Sequence, residues 1–230
     1  MKKHVRSTIA TTTGLTLLGF GLAAPAQAAA PNACAERADC VIVSRADVDG
    51  DGVRDSVGMR AAHQGDGTDM VTLWVATADG ERLSTVTETL ASKDHYRGSA
   101  RIDGEDGYEL VLRTGLGAHS AYYRVVTYRD GRLTTLQDPR SRYRWTTDGS
   151  VWSDFGYQKT TSGTGAYKFV AREAVDGDRD GDFTQLTVAS GWSTAQRTWK
   201  RMGTTTRHDI SAATAHRYTG WHVPHLTKGI

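Results

Sequence analysis

The sequence predicts an all-β chain built of antiparallel meanders, set either as a small propeller-like array or as a β-sandwich. Three observations point there. Runs rich in Val, Thr, Tyr and Trp recur, as in Met70 to Thr77 (MVTLWVAT), Tyr108 to Arg113 (YELVLR) and Ala121 to Tyr128 (AYYRVVTY). Such side chains suit a pleated, half-buried surface. Asp79-Gly80 and Asp130-Gly131 close two of these runs, and Asp-Gly supplies the positive φ of a tight hairpin turn. Acidic, glycine-rich loops separate others, and only four prolines interrupt 230 residues.

The N-terminus predicts a signal peptide over residues 1–28. Lys2, Lys3 and Arg6 form a basic start, and an apolar stretch runs from Leu15 to Ala24. That stretch is too short for a stable bilayer span. Ala26-Gln27-Ala28 fits the small-x-small pattern of a cleavage site, so cleavage is expected after Ala28. No second hydrophobic span follows. The expectation is a secreted, extracellular mature chain forming a single all-β domain over residues 29–230.

Removing the leader leaves 25 basic against 26 acidic residues. That balance gives no argument for a nucleic-acid partner. The two cysteines, Cys34 and Cys40, lie six apart. In an oxidising compartment they read as one disulfide tying the mature N-terminus to the first strand. A two-cysteine metal site is the alternative.

Along the chain, Val41-Ile42-Val43 is the first short strand. Glu81 to Thr89 alternates and returns after the Asp79-Gly80 turn, and Arg132 to Leu136 returns after Asp130-Gly131. Ala166 to Val175 and Phe183 to Ala189 flank a further Asp/Gly loop, and Gln196 to Thr206 reads as a long late strand. One short helix is expected from Ile210 to about Arg217, with Asp209 as its cap. Arg140 to Trp145 reads as a strand with Arg140, Arg142 and Arg144 in water and Tyr143 and Trp145 inward. A polyanion-binding stripe is the other reading. Arg45 to Thr85 and Arg101 to Thr135 share an Asp/Gly loop, two strands and a hairpin at an offset of 51 to 55 residues. This describes a repeated β-unit, although any meander with Asp-Gly turns looks self-similar.

The segment Asp47-Val48-Asp49-Gly50-Asp51-Gly52-Val53-Arg54-Asp55 carries the clearest chemistry. Carboxylates at positions 1, 3, 5 and 9 of one turn repel, and a proton or a cation must relieve them. Hard oxygens at alternating positions, with glycine at position 6, suit calcium. The expected ligands are the side chains of Asp47, Asp49, Asp51 and Asp55 and the carbonyl of Val53. Gly58 stands where a helical calcium hand needs glutamate, and both flanks read as strands. Asp176, Asp178, Asp180 and Asp182 repeat the spacing without a carboxylate at position 9; they form a second metal site or a solvated hairpin tip.

The nonapeptide resembles the calcium-binding turn of FG-GAP/VCBS-type repeats of secreted bacterial proteins, with a degenerate second copy at residues 103–109. The resemblance implies calcium as the bound ion and a strand-flanked loop, typically within a β-propeller. It implies a non-enzymatic extracellular binding or adhesion module, with a protein or glycan as partner. A small secreted hydrolase using calcium as a structural clamp is the rival, and a structural cell-envelope protein is a third possibility. The histidines are scattered and no G-x-S-x-G turn occurs. Gly117-Ala118-His119-Ser120 only sets a histidine beside a serine, and Pro224 separates His222 from His225.

Overall fold

A computed structural model of the protein describes residues 31–90, 94–140, 144–161 and 167–226. The leader expected at residues 1–28 lies outside these. Apart from one short helix the described chain is strand and loop, as the β-rich runs require. The first four strands, β1 (Val41–Ala46), β2 (Asp55–His63), β3 (Thr68–Ala76) and β4 (Arg82–Leu90), form a four-stranded antiparallel meander. The next four, β5 (Tyr96–Ala100), β6 (Glu109–Leu116), β7 (Ser120–Arg129) and β8 (Arg132–Leu136), repeat that meander. In both, the acidic loop joins the first strand to the second.

β7 has ten residues and, besides pairing with β6, serves two neighbours along its other edge. Its residues 125–129 pair with β8, while residues 120–123 pair with β9 (Trp145–Gly149). Through β9 the sheet continues into β10 (Ser153–Thr161), β11 (Tyr167–Val175), β12 (Asp182–Ser193) and the edge strand β13 (Thr198–Ser211). A helix, α1 (Ala212–His216), follows. β14 (Gly220–His222) then returns to pair with β10, and this pair alone among the named strands runs parallel.

The second meander is the middle layer. Leu110, Leu112 and Val126 face the first sheet, packing with Val57, Val71, Leu73 and Val75. Val111, Tyr123 and Val125 face the other way, onto Trp145, Tyr157, Phe169 and Trp221. This explains why β6 and β7 read as near-continuous apolar runs where an outer strand would alternate. On the far side the aromatic rings nest closely: Tyr157 and Trp221 stack at 4.7 Å, and Tyr123 meets Trp221 edge-on at 5.4 Å.

Cys34 and Cys40 are joined in a disulfide immediately before β1. It lies against β2 at Gly58, where an added Cβ would stand 2.7 and 2.8 Å from the two sulfurs.

Two expectations fail. The helix begins at Ala212 and ends at His216, with Ser211 at its cap and no side-chain cap bond. Asp209 and Ile210 belong to β13, because Ile210 is buried with Phe183, Ala174 and Ala215. The strand expected at Arg140 starts only at Trp145, and Arg140 is not in water. Its guanidinium is buried against Asp138 at 3.1 Å and the Tyr157 hydroxyl at 2.7 Å. The Asp138 carboxylate is fully buried, and an ion in that position must be paired. Residues 141–143 of the expected strand lie outside the described residues. Arg144 is exposed and Trp145 is in the core.

Candidate metal centre and adjoining cleft

The loop between β1 and β2 is organised by its own carboxylates. Asp47 accepts the N–H groups of Gly50 at 2.8 Å and Gly52 at 3.1 Å. Asp49 accepts from Asp51 N–H at 3.2 Å, and Asp51 from Val53 N–H at 2.6 Å. Asp55, the first residue of β2, accepts from Val48 at 2.6 Å and from Ala78 at 3.0 Å. Side-chain oxygens of Asp47, Asp49 and Asp55 converge, all lying within 4.8 Å of one another. Asp51 does not join them and points to solvent.

Three like charges so close are costly. Burial pushes the Asp55 carboxyl up to about 6, with the Asp49 charge adding to it and the Val48 and Ala78 N–H groups opposing. The Asp49 carboxyl is raised by burial and by Asp51, Asp47 and Asp79. A hard divalent cation relieves this strain directly, and carboxylate oxygens are the donors such ions take. The residues present therefore fit a metal ion, with Asp47, Asp49 and Asp55 as its side-chain ligands.

The corresponding loop of the second meander, residues 101–108, lies back to back with the first. Tyr108 N–H donates to the Asp47 carbonyl at 2.8 Å. An added Cβ at Gly50 would stand 2.8 Å from Asp106, and one at Gly107 would stand 2.5 Å from the Val48 carbonyl. Only glycine permits that approach at either point. Here the carboxylates are Asp103, Glu105 and the exposed Asp106, with Glu109 following at the start of β6. Arg129 sits among them, bonded to Asp103 and 3.0 Å from Glu105. Glu109 is buried, accepting from Ile102 N–H at 2.6 Å and from the Thr127 hydroxyl at 3.1 Å. Burial and the charge of Asp103 hold its carboxyl well above the usual range. Burial also raises Asp103, although Arg129 pulls it down.

The third acidic loop joins β11 to β12. Asp176 is buried and accepts from Arg179 at 2.6 Å and Gly181 at 3.0 Å, much as Asp47 holds its own turn. Asp178, Asp180 and Asp182 are exposed. Among the described residues only the first loop gathers three metal-binding side chains.

Other reactive groups are placed apart. The Ser120 hydroxyl bonds Asp148, while His119 uses its carbonyl to accept Gly149 N–H. His222 Nε2 lies 3.1 Å from the Thr219 carbonyl. Three histidine–aspartate pairs are not legible in the sequence: His95 Nε2 with Asp69 at 2.8 Å, the exposed His63 Nδ1 with the same Asp69 at 3.0 Å, and His216 Nδ1 with Asp154 at 2.6 Å. The first is buried, whereas His216 is half exposed.

A cleft of about 620 Å³ opens beside the two acidic loops. Asp49 and Asp103 line it, with Tyr128, Tyr167 and Trp192 among its aromatic walls. The Trp192 indole N–H donates to Glu105 at 2.6 Å, and its ring meets Trp199 edge-on at 5.3 Å. No protein-family model, curated protein or solved structure matches this chain.

Proposed function

We propose that the protein is an extracellular binding module in which calcium clamps the loop from Asp47 to Asp55. The observation that carries this reading is the convergence of Asp47, Asp49 and Asp55, with oxygens within 4.8 Å of one another. Their donor chemistry suits calcium rather than a softer metal. The leader-like N-terminus and the disulfide support export, and extracellular calcium is plentiful enough for a weak site to fill. The resemblance to FG-GAP/VCBS-type turns supports the same ion and a non-enzymatic role towards a protein or glycan.

Melting the mature chain with excess calcium and with chelator tests the ion. For an affinity of about 0.1 mM at about 1 mM calcium, binding stabilises the fold by about 1.4 kcal/mol. That corresponds to roughly 3–6 °C for a domain of this size. Asp49→Asn should abolish most of the shift. An unchanged melt, together with no calcium retained after dialysis, overturns the calcium reading.

The rival hydrolase reading draws on one pair, His216 held by the buried Asp154. Such a pair orients an imidazole for proton transfer. Hydrolysis of ester or glycoside substrates that disappears in His216→Asn would favour the rival.

A further inference from the structure

We infer that the cleft beside the paired acidic loops binds a basic polypeptide segment, receiving a lysine or arginine side chain between its carboxylates and aromatic walls. This names the ligand of the proposed binding module and rests on that reading, but not on the identity of the ion.

Size and stiffness come first. About 620 Å³ lies within the range of ligand pockets. Its walls are already fixed. Trp192 is held by Glu105 and Trp199, and the Tyr167 hydroxyl bonds the Ile102 carbonyl. A ligand entering the cleft therefore orders little that is not ordered already.

Charge sets the class of ligand. Five carboxylates line the cleft, from Asp49, Asp103, Glu105, Asp106 and Asp130, against one guanidinium, Arg129. Arg197, reaching Asp130 at 2.5 Å, reduces the excess without cancelling it. The fold itself shows what this cluster accepts. Arg129 lies bonded to Asp103 and Glu105, with its guanidinium 6.0 Å from the centre of the Trp192 ring. Carboxylates beside an indole face favour a desolvated organic cation by Coulomb attraction and by the ring quadrupole. A neutral sugar gains neither. A calcium ion at Asp47, Asp49 and Asp55 takes up the charge of Asp49 and leaves Glu105, Asp106 and Asp130 facing the cleft.

The test titrates the mature chain with tetralysine, tetra-aspartate and a neutral oligosaccharide, following tryptophan fluorescence at low and high salt. Tetralysine should bind and change the fluorescence, with salt weakening it. The signal should be lost in Trp192→Phe. Asp106→Asn with Asp130→Asn should weaken binding by roughly tenfold. A control carrying Asp178→Asn, Asp180→Asn and Asp182→Asn removes three charges away from the cleft and should change it by less than about twofold. Equal weakening by the control would reduce the effect to net charge and overturn the proposal, as would binding of the sugar in place of tetralysine or no binding at all. Repeating the titration in chelator separates the two readings, because the calcium melt can fail while tetralysine still binds.

Discussion

Asp55 and Glu109 occupy the same point of two successive meanders. Each is the first residue of the second strand, and each accepts at 2.6 Å the backbone N–H of the residue seven places earlier, Val48 or Ile102. Each is essentially fully buried. What differs is the company. Around Asp55 stand two further aspartates, and Arg101 comes only to 4.0 Å from Asp47. Around Glu109 stands a guanidinium already bonded to Asp103. The same backbone device thus serves an acidic triad in one copy and an internal ion pair in the other.

Asp55→Ala should destabilise the fold by roughly 3 kcal/mol even in chelator, because it strips the acceptor from the Val48 and Ala78 N–H groups. Asp55→Asn keeps one acceptor oxygen and should lose less. Denaturant unfolding in chelator ranks the two, and equal losses would mean that the hydrogen bonds are not what Asp55 contributes.

Glu109 makes stability depend on pH in a direction opposite to that of most carboxylates. Its carboxyl is raised in the folded chain and ionises near 4.5 when unfolded. Above that pH the folded state holds a proton that the unfolded state has released. Its contribution is therefore complete below about 4.5 and declines as pH rises towards the raised folded value. Glu109→Gln should remove this decline, and unfolding curves at several pH values compare the two slopes.

Arg129→Met leaves Asp103, Glu105 and Glu109 without their guanidinium. The expected loss at neutral pH is roughly 3 kcal/mol. It should shrink on acidification, as the carboxyls take up protons. A loss that is the same at both pH values would assign Arg129 a packing role instead.

Gly58→Ala forces a methyl group against both sulfurs of the disulfide. A loss of about 1–3 kcal/mol is expected in the oxidised protein. The same substitution should be milder once Cys34 and Cys40 are both alanine, so a double-mutant cycle will show coupling. Additive losses would place the strain elsewhere.

The fold class and the core of the site could be read from sequence because both depend on local pattern. Val/Thr/Tyr alternation marks strands, and aspartates spaced along one turn can converge, as Asp47, Asp49 and Asp55 do while Asp51 does not. The offset of 51 to 55 residues corresponds to the two meanders, whose second strands begin at Asp55 and Glu109. β5 and β10 do not stand out in the sequence, because each carries an interior glycine that weakens the strand pattern, Gly98 and Gly156. Gly156 is needed all the same, since its backbone passes against the carbonyl of Tyr218. Arg140 reads in the sequence as a surface charge, and no local pattern singles out Arg129. Their burial depends on partners brought in by the fold, and Trp192 reaches Glu105 across 87 residues of chain. Local periodicity contains no information about such meetings.

The return of β14 has a kinetic consequence. Trp221 fills the centre of the aromatic core, and Gly98 in the second meander bridges to Leu226. The middle layer therefore stays incomplete until nearly the whole described chain is available. Contacts this distant in sequence form slowly. A growing chain remains unable to close its core, and native compaction waits for β14 to become available.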